Sequence, residues 1–185
     1  GFGISEPLTR ENADDIYDRC NEILKGYSAR SLMRKFGVRA VCTTDDPVDD
    51  LRFHEKLAAE LGMEIRVLPA FRPDRAVNID KAGFDEYIRL LSDATGRRLT
   101  STASVIEALC ERIDYFGDRG CLCADHGLDY CMFEEPSLKL ADEAFTIAMS
   151  GKCPEKKMAD AYKTRVTIAC AKKYAEKNWV MQIHF

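Results

Sequence analysis

An α/β protein built around a parallel sheet is what this sequence predicts, and three observations carry the prediction. Four short runs rich in apolar residues, at 38–44 (VRAVCTT), 64–71 (EIRVLPAF), 121–124 (CLCA) and 179–185 (WVMQIHF), alternate with segments of helical period. The run 121–124 sits behind Gly120 and suits a strand buried on both faces. Each run also ends in polar residues, as a strand does where it leaves the core for its loop. Strands alternating with helices pair in parallel through right-handed crossovers, so four of them make a small doubly wound sheet or half of a barrel.

The elements follow in order. Residues 1–7 read as an irregular lead-in. Thr9 is placed to cap a helix to about residue 25, with Glu11, Asp14 and Asp15 near its positive end. Ser28 caps a shorter helix carrying Leu32, Met33 and Phe36, which Gly37 ends. After the first strand, Asp46 is expected as an N-cap with Pro47 at the first helical position, and Val48, Leu51, Ala58 and Leu61 as the buried stripe. Gly62 stops that helix, Pro69 marks the end of the second strand's ladder, and residues 72–75 form a loop. Asp80 caps the next helix, where Phe84, Tyr87, Ile88 and Leu91 match the i, i+3, i+4, i+7 pattern.

A polar connector at 96–100 leads to a helix lined by Val105, Ile106, Leu109, Ile113 and Phe116. Beyond the third strand, Ser137 caps a helix through Met149, residues 151–154 break it, and a longer amphipathic helix spans 155–176. Trp179 opens the fourth strand as a packing residue. The expected division is a helical lead-in at 1–36 and β/α units at 37–185. A chain closing on a strand, one residue past a His, reads as a fragment.

With 185 residues the chain can bury a sizeable core, and 46% hydrophobic against 31% charged residues is an ordinary globular balance. A net charge of -4 with no dense Lys/Arg stripe argues against nucleic acid as a partner. The apolar runs are too short to span a membrane, and no signal peptide is visible. The eight cysteines are scattered through helices and strands without a CxxC or matching pair, so reduced, buried, structural thiols and a cytoplasmic setting are expected.

Parallel strands place their C-terminal ends on one rim, which would gather Thr43, Thr44, Asp45 and Asp46, then Arg72 and Asp74, then Asp125, His126 and Asp129, then Gln182 and His184. Arg72 suits a carboxylate or phosphate, or an ion pair with Asp74. His126 and His184 suit metal ligation, proton transfer or hydrogen bonding, while His54 reads as a solvated or packing residue. Asp125 and His126, as strand neighbours, face opposite ways and form no dyad by adjacency. GxGxxG, GxxxxGK[ST], GxSxG, HExxH and His-x-His are all absent, so a metal site completed by this chain alone would need carboxylates plus isolated histidines.

Four stretches, VCTTDDPVDDLRFH at 41–54, VLPAFRPDRAVNID at 67–80, ADHGLDY at 124–130 and WVMQIHF at 179–185, together resemble the uronate (glucuronate) isomerases of the amidohydrolase superfamily. The resemblance runs in order over essentially the whole chain. It implies part of a (β/α)8 TIM barrel, with about four parallel strands plus helical insertions. It implies interconversion of D-glucuronate with D-fructuronate and of D-galacturonate with D-tagaturonate. Arg72, with Asp74, would bind the substrate, and Asp125, His126 and His184 would act as hydrogen-bonding or proton-handling catalytic groups. The family's His-x-His pair and late metal-binding Asp have no counterpart here, so a divalent metal such as zinc belongs to the full-length protein and no cofactor to this chain. A uronic acid is the implied small-molecule partner, and exposed sheet edges imply homo-oligomers or self-association. The competing expectation is a self-folding, non-catalytic module for assembly or small-acid binding.

Overall fold

The computed structural model describes residues 2–60, 62, 64–135 and 137–185; Gly1 and Leu61, which enter the sequence reading, lie outside them. The chain divides into two units, Gly1–Val41 with Glu64–Arg66, and Cys42–Met63 with Val67–Phe185.

The first unit carries α1 (Ala13–Leu24) and α2 (Ala29–Lys35), neither with a buried residue. Thr9 does not cap α1. Asn12 occupies that position, and its Oδ1 accepts the Thr9 N–H at 2.7 Å, winding a turn ahead of the helix. Ser28 caps α2 through a reciprocal box with Ser31, as its sequence suggests.

Between β1 (Ala40–Cys42) and β2 (Arg66–Leu68) the expected helix starts late, at Arg52, as α3 (Arg52–Ala58). Asp46 caps a turn instead of a helix: its Oδ1 accepts the Val48 N–H at 3.1 Å, and Asp49 Oδ2 accepts the Asp46 N–H at 2.9 Å. Leu51 then takes φ 54° ahead of α3 while only 3% exposed. A left-handed residue with a Cβ costs about 1–2 kcal/mol, and burying a leucine returns about 1.5–3 kcal/mol, so the buried side chain wins. Ala58 is exposed, and His54 and Leu57 are the better-covered residues of α3.

The stretch expected as a loop after β2 contains a single helical turn, α4 (Asp74–Val77), behind Pro73. In α5 (Phe84–Thr95) all four stripe residues are buried. Its N-cap is Gly83, because the Asp80 carboxylate is drawn to Lys163 at 2.8 Å. Then follow α6 (Thr102–Gly117), capped by Ser101, β3 (Cys123–Gly127), α7 (Leu138–Met149), capped by Ser137, α8 (Lys156–Glu176) and β4 (Val180–His184).

β1 neighbours β2, and β3 pairs in parallel with β4 from Cys123↔Val180 to Gly127↔His184. Parallel bridges Asp45↔Phe71 and Phe71↔Ala124 join the two pairs. The strands therefore lie side by side in chain order, and the expected α/β class with parallel strands is the observed one. Phe71, fully buried at the junction, meets Phe116 edge-on at 5.1 Å, Tyr174 at 6.1 Å and Trp179 at 6.4 Å. Helices α6 and α8 thus cover one face of the sheet, and Trp179 packs as its position suggests.

α8 is not a simple amphipathic helix. Residues 159–164 are buried without interruption, including Asp160 and Lys163. Those charges are tolerated because each is paired: Lys163 with Asp80, and Asp160 with Tyr130 and Lys156. The cysteines are all free, but only Cys121 and Cys170 are buried; Cys42, Cys131 and Cys153 are exposed. Among the described residues no helix is long and apolar enough to cross a membrane.

Candidate active site at the strand ends

Three adjacent strands bring the site together. The Phe71 N–H reaches Cys123 O at 3.1 Å, and Phe71 O accepts the Asp125 N–H at 3.0 Å, so Arg72 emerges beside the end of β3. The Arg72 N–H donates to Asp45 O at 2.9 Å, which fixes its backbone from the other side. In the β3–β4 register Asp125 is opposite Gln182 and Gly127 opposite His184. Residues two apart on a strand share a face, so Asp125, Gly127, Gln182 and His184 stand together.

The side chains meet there. Arg72 Nε donates to Asp74 Oδ2 at 2.7 Å, Nη1 lies 3.8 Å from Asp125 Oδ2, and Nη2 lies 3.3 Å from His184 Nε2. Asp125 Oδ1 is 3.0 Å from His184 Nδ1 and accepts Gln182 Nε2–H at 3.2 Å. Asp74 is held in turn by the Gly127 N–H, at 3.2 and 3.3 Å from its two oxygens. The hydrogen bond to Asp74, with Asp125 nearby, pushes the Arg72 guanidinium above its already high ordinary pKa.

These contacts assign the imidazole. An ionised Asp125 can only accept, so His184 Nδ1 carries the proton toward it; Arg72 can only donate, so Nε2 presents its lone pair. His184 is a ring oriented by a carboxylate, with Nε2 beside a guanidinium. Half of the His184 side chain and a third of the Arg72 side chain are exposed, so a small solute can reach both.

The structure does not bring His126 to this cluster. It lies on the opposite face of β3, 1% exposed, with its ring 5.7 Å from Tyr174 and Nε2 buried without a partner. Burial lowers its pKa below the ordinary 6.5, although Asp74 and Asp125 act against that. Thr43 and Asp45 also turn elsewhere. Thr43 Oγ1 sits 2.6 Å from Asp45 Oδ2 and 2.7 Å from His54 Nε2, and the Ala70 N–H donates to Asp45 Oδ2 at 3.2 Å. Asp46 accepts from Tyr87 Oη at 2.8 Å, and burial raises its pKa. Asp129 pairs with Lys81.

Sequence reasoning missed one participant, Gly127, and one contact away from the site, between His54 and Thr43. His54 was not tied to Thr43, because a helix whose start is misplaced gives no facing. Gly127 was not tied to Asp74, because its contribution is a backbone N–H; only the parallel register could have shown it. Among the described residues no group of three or more His, Cys, Asp or Glu is placed to hold a metal ion.

Comparison with known proteins gives these side chains a family. The chain is 41% identical over 185 residues to a protein named uronate isomerase from Caldanaerobacter subterraneus subsp. tengcongensis, covering 99% of this chain and 40% of that one. A uronate isomerase of Lachnospira eligens is 36% identical over 186 residues, covering 100% of this chain and 40% of its own length. The crystal structure of uronate isomerase from Thermotoga maritima superposes with a TM-score of 0.88 at 30% identity, covering 99% of this chain and 40% of that one. That of glucuronate isomerase from Caulobacter crescentus gives 0.83 at 28%, with 99% and 38% covered. The chain thus spans about two fifths of the length of the curated relatives it matches. The family model described as Glucuronate isomerase matches residues 1–185, and the chain belongs to that family.

Proposed function

We propose that this chain is the central section of a uronate isomerase and supplies one wall of its sugar-acid pocket. In this reading its four strands are consecutive strands of a (β/α)8 barrel, residues 1–36 are a helical lead-in, and residues 37–185 are the β/α units. The reaction interconverts D-glucuronate with D-fructuronate and D-galacturonate with D-tagaturonate. The observation that supports this reading best is the meeting of Arg72, Asp125 and His184 at the ends of three adjacent strands, in a chain of this family.

Moving a proton between C1 and C2 of a uronate needs a group to carry it, donors for the developing oxyanion and an anchor for the C6 carboxylate. Arg72 is the anchor. Asp74 fixes Nε, leaving the two terminal nitrogens in the fork that matches a carboxylate. Its charge is already opposed by Asp74 and Asp125, so recognition rests on the direction of those N–H groups more than on net charge. His184 Nε2 takes up or returns a proton at a substrate oxygen, and Asp125 holds the ring in the tautomer that can. We give His126 a packing role behind β3. A divalent metal such as zinc is assigned to the parent protein outside this chain, and no step above runs through it.

The test is kinetic. The isolated chain, given D-glucuronate or D-galacturonate, turns over neither. In a full-length protein containing it, Arg72→Ala lowers kcat/KM on the order of a hundredfold or more. Near-normal kinetics in that variant refute the anchor, and turnover by the chain alone refutes the division of the site. The same reading takes the protein to be cytoplasmic. It takes exposed Val180, Ile183 and Phe185 as the surface through which the isolated chain self-associates; a stable monomer in light scattering at high concentration would count against that.

A further inference from the structure

The last residue of β3 has no side chain, and the backbone does not explain why. Gly120 at φ 86° needs glycine's freedom, but Gly127 is not among the positive-φ glycines and lies in regular parallel register with His184. Glycine adds no side-chain packing to a strand. What distinguishes the position is the space above its Cα. A Cβ there would sit 2.9 Å from Arg72 Nη2, 3.1 Å from Asp74 Oδ2 and 3.3 Å from His184 Nε2. All three groups belong to the site, and they come from the segment that follows β2, from α4 and from β4.

We propose that Gly127 is a positioning residue of the uronate site: its missing side chain is the room in which Arg72, Asp74 and His184 meet. The inference rests on the reading of Arg72 as the anchor for a carboxylate. Gly127 acts twice, because its own N–H holds the carboxylate that fixes Arg72 Nε. Adding a methyl group leaves that N–H in place and removes the room. The nearest atom to the added carbon is the far end of a flexible side chain, so the fold absorbs the change and the guanidinium moves. The strand persists, and the forked donor is turned away from its present direction.

Gly127→Ala in the 185-residue chain separates these effects. Circular dichroism and the thermal midpoint stay near wild type. The Arg72 Nε–H resonance, identified by its loss in Arg72→Lys, exchanges with water at least about tenfold faster once its bond to Asp74 is broken. Asp74→Asn weakens the same bond without adding volume and serves as the positive control. Unchanged Arg72 exchange in a folded Gly127→Ala chain overturns the proposal. So does loss of folding, since the added carbon would then be pressing on the backbone and not on the site. A titration with D-glucuronate in a full-length protein containing the chain forms a separate arm: absence of binding by wild type as well as Gly127→Ala refutes the carboxylate reading, while the exchange result still decides the role of Gly127.

Discussion

Removing the Arg112 guanidinium should loosen the loop that follows β1. Arg112 projects from α6 and is 7% exposed; Nε donates to Pro47 O at 2.6 Å, Nη2 donates to Asp49 O at 2.8 Å, and the guanidinium lies 3.8 Å from the Tyr115 ring centre. Arg112→Met keeps most of the stem and removes the fork. Pro47 is buried, so its carbonyl loses its partner at about 1–3 kcal/mol; Asp49 is exposed, and its carbonyl recovers water at little cost. The ring contact adds about 0.5–1 kcal/mol. Against this, the folded state no longer buries a charge, a cost visible in the lowering of the Arg112 pKa by burial. The net loss is about 1.5–3 kcal/mol, or about 4–10 °C in Tm for a chain of this size. Urea and thermal unfolding followed by circular dichroism measure it, and amide exchange at residues 46–51 should accelerate with it. Stability within about 0.5 kcal/mol of wild type, with unchanged exchange in that loop, would refute the reasoning.

Acid should act through His126. Its folded pKa is depressed by burial below 6.5, so between those values the unfolded chain binds the extra proton. Stability from this source is complete above about pH 6.5 and declines as pH falls toward the folded pKa. His126→Gln should flatten that decline, and parallel Tm-against-pH curves for the two proteins would rule the explanation out. The thiols should separate by reactivity. Burial pushes Cys121 up to about 11 and Cys170 to about 12, and burial together with neighbouring Cys42 pushes Cys123 to about 12. Iodoacetamide near pH 7.5 should therefore label exposed Cys131 and Cys153 well before these three, as read by mass spectrometry; early labelling of Cys170 would contradict its burial.

How much the sequence disclosed depended on how local the cause was. The stripe Phe84, Tyr87, Ile88 and Leu91 is buried throughout, because helical spacing alone puts it on one face. The Ser28 and Ser137 caps also act within three residues of themselves. Long-range competition defeated the others. Asp80 is drawn to Lys163 across 83 residues of chain and leaves α5 uncapped by a side chain. The start of α3 is displaced by a turn whose anchors, Tyr87 and Arg112, lie far along the sequence. Strand ends were legible as polar punctuation, which located Arg72, Asp125 and His184. Which of them share a face needed the pairing register, and that register is what separates Asp125 from His126.

The ladder from Cys123↔Val180 to Gly127↔His184 has a further consequence for how long the site stays intact. Among the described strands β4 pairs with β3 alone. In the isolated chain His184 and Gln182, both partners of Asp125, therefore ride on a strand held from one side, whereas in a closed barrel the next strand would hold the other. Such strands are the first to open in native-state fluctuations. A slip of a single residue would place Met181 and Ile183 where Gln182 and His184 now stand, leaving Asp125 facing a thioether and an alkyl chain. In the isolated chain the lifetime of the Asp125–His184 pair is thus set by the fraying of one strand, well before the aromatic core around Phe71 gives way.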